Sequence, residues 1–434
     1  NTGIMKTCFK ELVETLSKEV PEAITQVQTL VKELRRITLL WDELWLGTLT
    51  QSQSEIDKRQ QQLVFEVEKV LNNDHLSKDE KLSLVASIYN ILTKPILILL
   101  EQLQQITNVQ PETPHEFQFQ LQYAAQINEI IANLKSTPPV EQMASAFLPV
   151  KHFHKLLQQK FHRRSAFTLQ LSDISPVLLA LKDTFIVMPG LKNHISSQTV
   201  TIRSVFSTVI ILPTKTKPKK LLFYGSNGRS YTYLFKGLED LHLDERIMQF
   251  LSIVNTLLAS NVNNILGNRS EIQDNLYFAH HYPVIPLGPR SGLISWVSGT
   301  TPTFLLYKRW QQREIAKNST SKNVSGTTNI LRPSQLFYNK LNPLLHQHGI
   351  KNINNRKEWP LRILVQVINE LINETPSDLI AKELWCNSVD ANNWWQMIKR
   401  FSHSVGVMSV IGYVIGLGDR HLDNILINLA TGEV

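Results

Sequence analysis

The sequence predicts an α+β chain: an N-terminal bundle of about four helices, then a small sheet-rich lobe, then a larger helical lobe. Three observations lead there. From residue 1 to about 160, apolar side chains return every three or four positions, as one buried helix face requires. After Pro189-Gly190 the pattern becomes β-branched and alternating, the mark of strands. Beyond Gln311 helical spacing resumes and holds almost to the end. The 434 residues are 42% hydrophobic and 19% charged, ordinary globular values that exclude overall disorder.

Taken in order, Leu34, Ile37, Trp41, Leu44 and Trp45 read as one buried helix face. Leu82, Val85, Ala86 and Tyr89 form a second stripe, and Tyr123, Ile127, Ile130, Ile131 and Leu134 another, closed by Ser136-Thr-Pro-Pro139. Trp41 and Trp45 favour plain core, with a ligand groove left open. Residues 151–164 interleave basic and aromatic side chains, but Phe153, Leu157 and Phe161 at spacing four make an amphipathic helix with a solvated basic face, favoured over a nucleic-acid stripe. Thr199 to Leu212 reads as strand. Lys220 to Tyr224, the turn Gly225-Ser-Asn-Gly228 and Ser230 to Lys236 read as a hairpin, because Asn-Gly supplies the positive φ of a tight turn. A helix from Asp244 to about Ala259 and strands at His281–Pro286 and Gly292–Val297 complete an antiparallel sheet with one inserted helix. Residues 317–329 read as a polar, disordered loop, and Glu358 to Ile372 and Asn392 to Ile415 as long helices, the second ending at Gly416.

Two cysteines, Cys8 and Cys386, cannot build a disulfide framework and point to a reducing, intracellular compartment. The apolar run Pro95 to Leu100 is far shorter than the roughly 20 residues of a spanning helix, so no membrane segment is expected. The first residues lack a signal-peptide pattern and read as the start of a fragment. With 45 basic and 37 acidic residues, the net charge of +8 favours polyanions only weakly, and both nucleic acid and nucleotide phosphate fit.

Chemistry concentrates in Gly416-Leu-Gly-Asp-Arg-His-Leu-Asp-Asn424, between an apolar helix and the apolar run Ile425-Leu-Ile427. Phosphoryl transfer needs a carboxylate to receive a hydroxyl proton and an oxygen ligand for a metal ion, both rigidly placed. Asp419 and Asn424 supply that pair. A dinucleotide fingerprint fails for want of a third glycine and a preceding strand, and His421 with Asp423 is too small a set for zinc. Lys236, at the end of a strand and followed by the acidic neighbours Glu239 and Asp244, reads by itself as an exposed strand-end lysine before it reads as the cation that nucleotide phosphates need. Lys215-Thr-Lys-Pro-Lys-Lys220 is either a solvated hairpin tip or a polyanion patch.

The G-x-G-D-R-H-x-x-N run, with Arg and His after the Asp, resembles the catalytic loop of the phosphatidylinositol-3-kinase-like superfamily. Leu234 to Gln249 resembles its K-G-x-E-D-L-x-x-D-E-R motif. Leu39-Leu-Trp-Asp-Glu-Leu-Trp45 resembles the first helix of the four-helix module that binds rapamycin in the target-of-rapamycin kinases, a module lipid kinases lack. Pro213 to Lys220, Tyr231 to Gly237, Tyr307 to Arg313, Ala381 to Trp385 and Gly416 to Asn424 with Thr431 to Val434 look most like the protein-kinase branch acting in nonsense-mediated messenger-RNA decay. The resemblance implies a rapamycin-binding-like four-helix bundle within residues 1–165, a connecting segment and kinase N-lobe over 166–297, and a partial C-lobe over 298–434, cut short after the catalytic loop. It implies catalytic roles for Asp419, His421 and Asn424, with Asn424 a metal ligand. Thr214, Lys215, Thr216, Lys217, Lys236, Glu239, Asp244, Tyr282, Trp296, Val297 and Leu426 would hold the nucleotide, Trp296 stacking on adenine and Val297 offering backbone hydrogen bonds. Trp296 as a core aromatic would look the same in sequence.

By the same resemblance the activity is serine/threonine phosphorylation before Gln, using ATP with Mg2+ or Mn2+, on the decay pathway's RNA helicase, with a pair of regulatory proteins, in the cytoplasm and also the nucleus. Inositol hexakisphosphate binding is implied by family alone, and no direct nucleic-acid or membrane contact. A phosphatidylinositol kinase and a catalytically inactive scaffold are the rivals. The family's second metal-binding Asp would follow Val434, so these residues alone are expected to bind nucleotide poorly and to transfer no phosphate.

Overall fold

In a computed structural model, residues 2–163, 168–191, 199–212, 214, 216–237, 239–266, 278–320, 331–350 and 355–434 are described. The chain divides into two units, residues 1–246 with 282–296, and residues 247–281 with 297–434.

The first unit opens with α1 (Thr2–Glu19) and α2 (Pro21–Thr38), followed by the bundle helices α3 (Trp41–Leu71), α4 (Lys78–Thr107), α5 (Pro114–Lys135) and α6 (Leu148–Arg163). Trp45, Tyr123 and Phe153 meet edge to face at the bundle centre, and Trp41 packs on Phe119. The tryptophan pair is therefore core. The stripe read as one helix face is split, however. Leu39 is extended and ends α2, and α3 restarts at Trp41 with the Glu43 carboxylate accepting from the Leu40 N–H at 3.0 Å. Leu34 and Ile37 consequently pack with the sheet, whereas Trp41 and Trp45 pack in the bundle.

Helix α4 is long and apolar enough, by length and composition, to cross a membrane, so judging the chain by the Pro95–Leu100 run was too narrow. In the bundle the helix buries Val85, Tyr89, Leu92, Ile96, Leu100 and Leu103, and the Tyr89 hydroxyl donates to Leu134 O.

The sheet strands are β1 (Thr168–Gln170), β2 (Ile202–Val205), β3 (Thr208–Ile211), β4 (Lys219–Gly225), β5 (Ser230–Gly237), β6 (Val284–Gly288) and β7 (Ser291–Ser295). Their order is β1-β3-β4-β5-β7-β6, with β2 also on β4, all antiparallel. Short helices α7 (Leu171–Ile174) and α8 (Pro176–Ala180) follow β1. The expected hairpin forms around Gly228, at φ +76°, pairing Tyr224 with Ser230. The strand expected over Thr199 to Leu212 is two strands, interrupted where Phe206 N–H bonds Leu222 O.

The unit boundary falls within α9 (His242–Leu266), which begins near its expected start and runs beyond Ala259. The second unit holds β8 (Thr300–Pro302), α10 (Thr303–Thr320), α11 (Pro333–Gln347), α12 (Leu361–Glu374), α13 (Leu379–Cys386), α14 (Ala391–Ile415) and β9 (Leu426–Asn428). The loop expected from residue 317 is helical as far as Thr320, and 321–330 lie outside the described residues. Leu306, Leu384, Met397 and Ile427 form the core beneath the β8–β9 pair. Both cysteines are free and exposed.

Candidate active site

In the first unit the chemistry-bearing residues sit on neighbouring strands. Lys236, near the end of β5, places its Nζ 3.1 Å from Glu239 Oε2, both side chains about one third exposed. Asp244, expected to share this task, is instead exposed in the first turn of α9 and makes no ion pair with Lys236. Of the two carboxylates, Glu239 is the one paired with Lys236.

The lysine-rich turn is not uniformly solvated. Side chains alternate across a strand, so adjacent lysines must part company. Lys219 is 2% exposed and buries its Nζ against Glu43 Oε2 at 2.7 Å and Thr38 O at 3.0 Å. Lys220 lies over the Trp296 ring, 4.1 Å from its centroid, a cation–π contact. Trp296 is half-buried, its backbone N–H donating to Thr232 O at 2.9 Å. Lys217, at φ +45°, holds its ammonium 4.5 Å from the Phe161 ring centroid. Thr214 and Thr216 are exposed, Tyr282 is half-buried ahead of β6, and Lys215 lies outside the described residues.

In the second unit α14 ends where expected, at Gly416 with φ +66°, the Leu417 N–H closing the helix on Gly412 O. The loop then folds on itself. Asn424 Nδ2 donates to Asp419 O at 2.9 Å and to Asp419 Oδ2 at 3.1 Å. The Asp423 N–H donates to His421 Nδ1 at 3.2 Å, which leaves Nε2 to carry the ring proton of a neutral imidazole. That Nε2 lies 3.8 Å from Asp419 Oδ1. Arg420 Nε donates to Gly418 O at 2.8 Å and so turns back along the chain. Thr303 and Phe304, opening α10, donate to Ile425 O and Leu422 O and fasten the far end of the loop. The Asp419 side chain is 81% exposed, open to a substrate. Leu426 is exposed on β9, and Val297 O accepts the Thr300 hydroxyl at 3.2 Å.

Asp419 and Asn424 thus come together as the spacing suggests, and Lys236 with Glu239, while Glu43, Lys219 and Lys220 were missed as neighbours. Their signal was the strand alternation through Lys219-Lys220. For a metal, a carboxylate and an amide oxygen suit a hard cation such as Mg2+, which keeps several waters and shares substrate phosphates. No group of three or more His, Cys, Asp or Glu gathers among the described residues, and Asn424 is the residue that would hold the ion, with help from the nucleotide.

Residues 230–434 match the family model described as phosphatidylinositol 3- and 4-kinase. The serine/threonine-protein kinase SMG1 of Danio rerio is 47% identical over all of this chain and 12% of its own length. The corresponding kinase Smg1 of Drosophila melanogaster is 45% identical over 98% of this chain and 13% of its own. This chain therefore spans about an eighth of the length of those relatives. A solved structure of the open conformation of CtTel1 covers 99% of this chain and 17% of that one, at 19% identity and a TM-score of 0.47. Over its whole length the chain is thus similar to a segment of these serine/threonine-protein kinases, and over residues 230–434 to the phosphatidylinositol 3- and 4-kinase family.

Proposed function

We propose that the chain belongs to a serine/threonine protein kinase that moves the γ-phosphoryl group of ATP to Ser or Thr followed by Gln, in nonsense-mediated mRNA decay. The observation that carries this reading is the Asp419–Asn424 pair in a loop whose order, Asp-Arg-His, matches the family. Relatives named as serine/threonine-protein kinases support the protein branch.

In the proposed step the Asp419 carboxylate accepts the proton of the substrate hydroxyl as that oxygen bonds the γ-phosphorus. The bond to the β-phosphate oxygen breaks, and its electron pair leaves with ADP. Asn424 holds Asp419 by two hydrogen bonds, and His421 faces its Nε2 toward the same carboxylate. Lys236, oriented by Glu239, is the cation for the nucleotide phosphates, and Trp296 the platform for adenine. Mg2+, held by the Asn424 amide oxygen, would neutralise charge developing on the phosphates. The RNA helicase of the decay pathway is the proposed substrate, with regulatory protein subunits and a cytoplasmic location.

The matched model's description also covers lipid kinases, so phosphatidylinositol is the second reading. Phosphate transfer by the full-length protein to matched Ser-Gln and Ser-Ala peptides, with phosphatidylinositol vesicles alongside, separates the two. A site that hydrogen-bonds the glutamine amide rejects the Ala peptide strongly. Equal rates on both peptides, or faster labelling of lipid, would overturn the protein-kinase reading.

A further inference from the structure

The short elbow between α2 and α3 touches β4, whose Lys220 lies on the Trp296 ring, and β5, which carries Lys236. Thr38 O accepts from Lys219 on β4. The Thr38 methyl fills the space above Gly237, directly after Lys236 on β5, where a Cβ would lie 1.7 Å from it. The register pairs Lys219 with Phe235 and Lys220 with Leu234, so a shift of the elbow moves Lys220, Lys236 and the Trp296 platform together.

What fixes the elbow is one carboxylate. Glu43 stands in the first turn of α3, on the helix that buries Trp41 and Trp45 in the bundle. Its Oε2 takes both the Leu40 N–H and the Lys219 ammonium, while its Oε1 is buried without a hydrogen-bond partner. A buried ion pair with an unsatisfied oxygen is a poor way to gain stability, since apolar replacements of similar size often hold a fold as well. It is a specific way to set register, because the charges meet in one alignment only.

We infer that Glu43 and Lys219 are positioning residues that transmit the setting of the helical bundle to the strands holding ATP. The inference rests on the kinase reading above and deepens it: whatever displaces the bundle changes nucleotide affinity through this pair.

The test uses the full-length protein with Lys219→Met, Lys219→Arg and the double variant Glu43→Met/Lys219→Met, reading KM for ATP, kcat and thermal melting. Lys219→Met should raise KM for ATP about tenfold with kcat little changed, the signature of lost ground-state binding. Lys219→Arg, which keeps the charge, should recover most of that loss. The double variant should melt like the parent, having no unpaired buried charge, yet keep the raised KM. A double variant with parental KM would show a merely structural role and overturn the inference. So would a single variant with parental KM in an active parent. A parent without ATP-dependent transfer would instead overturn the kinase reading itself, and this inference with it.

Discussion

Asp419 holds φ at +57°, a left-handed conformation that costs a non-glycine residue roughly 1 kcal/mol or more and that Asp tolerates better than most. The conformation aims both its carbonyl and its carboxylate at Asn424, so the strain is tied to the site rather than to packing. Asp419→Gly relieves it. The variant should melt no lower than the parent, yet lose turnover by roughly 100 to 10,000-fold, the usual worth of a general base. Near-normal transfer in a purified assay would remove Asp419 from the chemistry. His154 is a second residue whose surroundings set its behaviour. It is buried in the bundle, Nδ1 3.0 Å from Gln53 Oε1 and Nε2 2.9 Å from Thr50 Oγ1, and burial holds its pKa below the ordinary 6.5. The unfolded chain therefore takes up the proton first, and this residue's stabilisation is present above about pH 6.5 and drains away as pH falls below it. Burial depresses His280 as well. Melting between pH 7 and 5 should consequently be less pH-dependent in His154→Gln, and flatter again with His280→Gln added. An unchanged slope in both would mean that neither imidazole resists protonation in the fold.

The close fit of Thr38 on Gly237 makes the α2–α3 elbow testable as an element. Gly237→Ala should destabilise by about 1–3 kcal/mol through overpacking, and Thr38→Ser, which removes the obstructing methyl, should recover most of it. A double variant no better than the single would place the strain elsewhere. The elbow also marks where the sequence stops being legible. Spacings of three and four run unbroken from Leu34 through Trp45, so nothing local announces that Leu39 leaves the helix. The break is imposed from a distance, by Lys219 on Thr38 O and by two cores claiming opposite ends of one stripe. The hairpin at Gly228 was readable because its turn chemistry is contained in four residues. Likewise Asp419 and Asn424, five positions apart in one loop, meet through contacts the spacing already implies. The lysine-rich turn was readable as charge but not as geometry. Its residues end in three settings, Lys217 on Phe161, Lys219 on Glu43 and Lys220 on Trp296, which only strand register decides.

Across the first unit, bundle and sheet each close their own apolar core, and charged groups carry much of what lies between. Lys219–Glu43 is one such link. Another gathers around Arg36 on α2, which pairs with Glu33 at 3.2 Å, with Glu116 at 3.6 Å and with Glu112, while Glu33 also accepts the Ser175 hydroxyl at 2.7 Å. One guanidinium thus ties α2 to α5, and its Glu33 partner reaches the turn ahead of α8. Glu33 is only 2% exposed, and its carboxylate depends on that cation. Arg36→Met should therefore cost about 3–5 kcal/mol, the price of stranding a buried charge, whereas Arg36→Met with Glu33→Leu should regain a large part. The acid limb supplies a second signature. Arg36, and after it Lys32, hold the Glu112 carboxyl below its ordinary 4.5, so its contribution is present above that pH and lost as pH falls through the lower folded value. Removing Arg36 withdraws the larger of those two causes. Denaturant midpoints followed from pH 7 to 3 should then show the parent losing stability below about pH 4.5, with Arg36→Met starting lower and falling less steeply. Parallel curves would mean that Arg36 and Glu112 do not meet in solution, and that the bundle is joined to the sheet by other contacts.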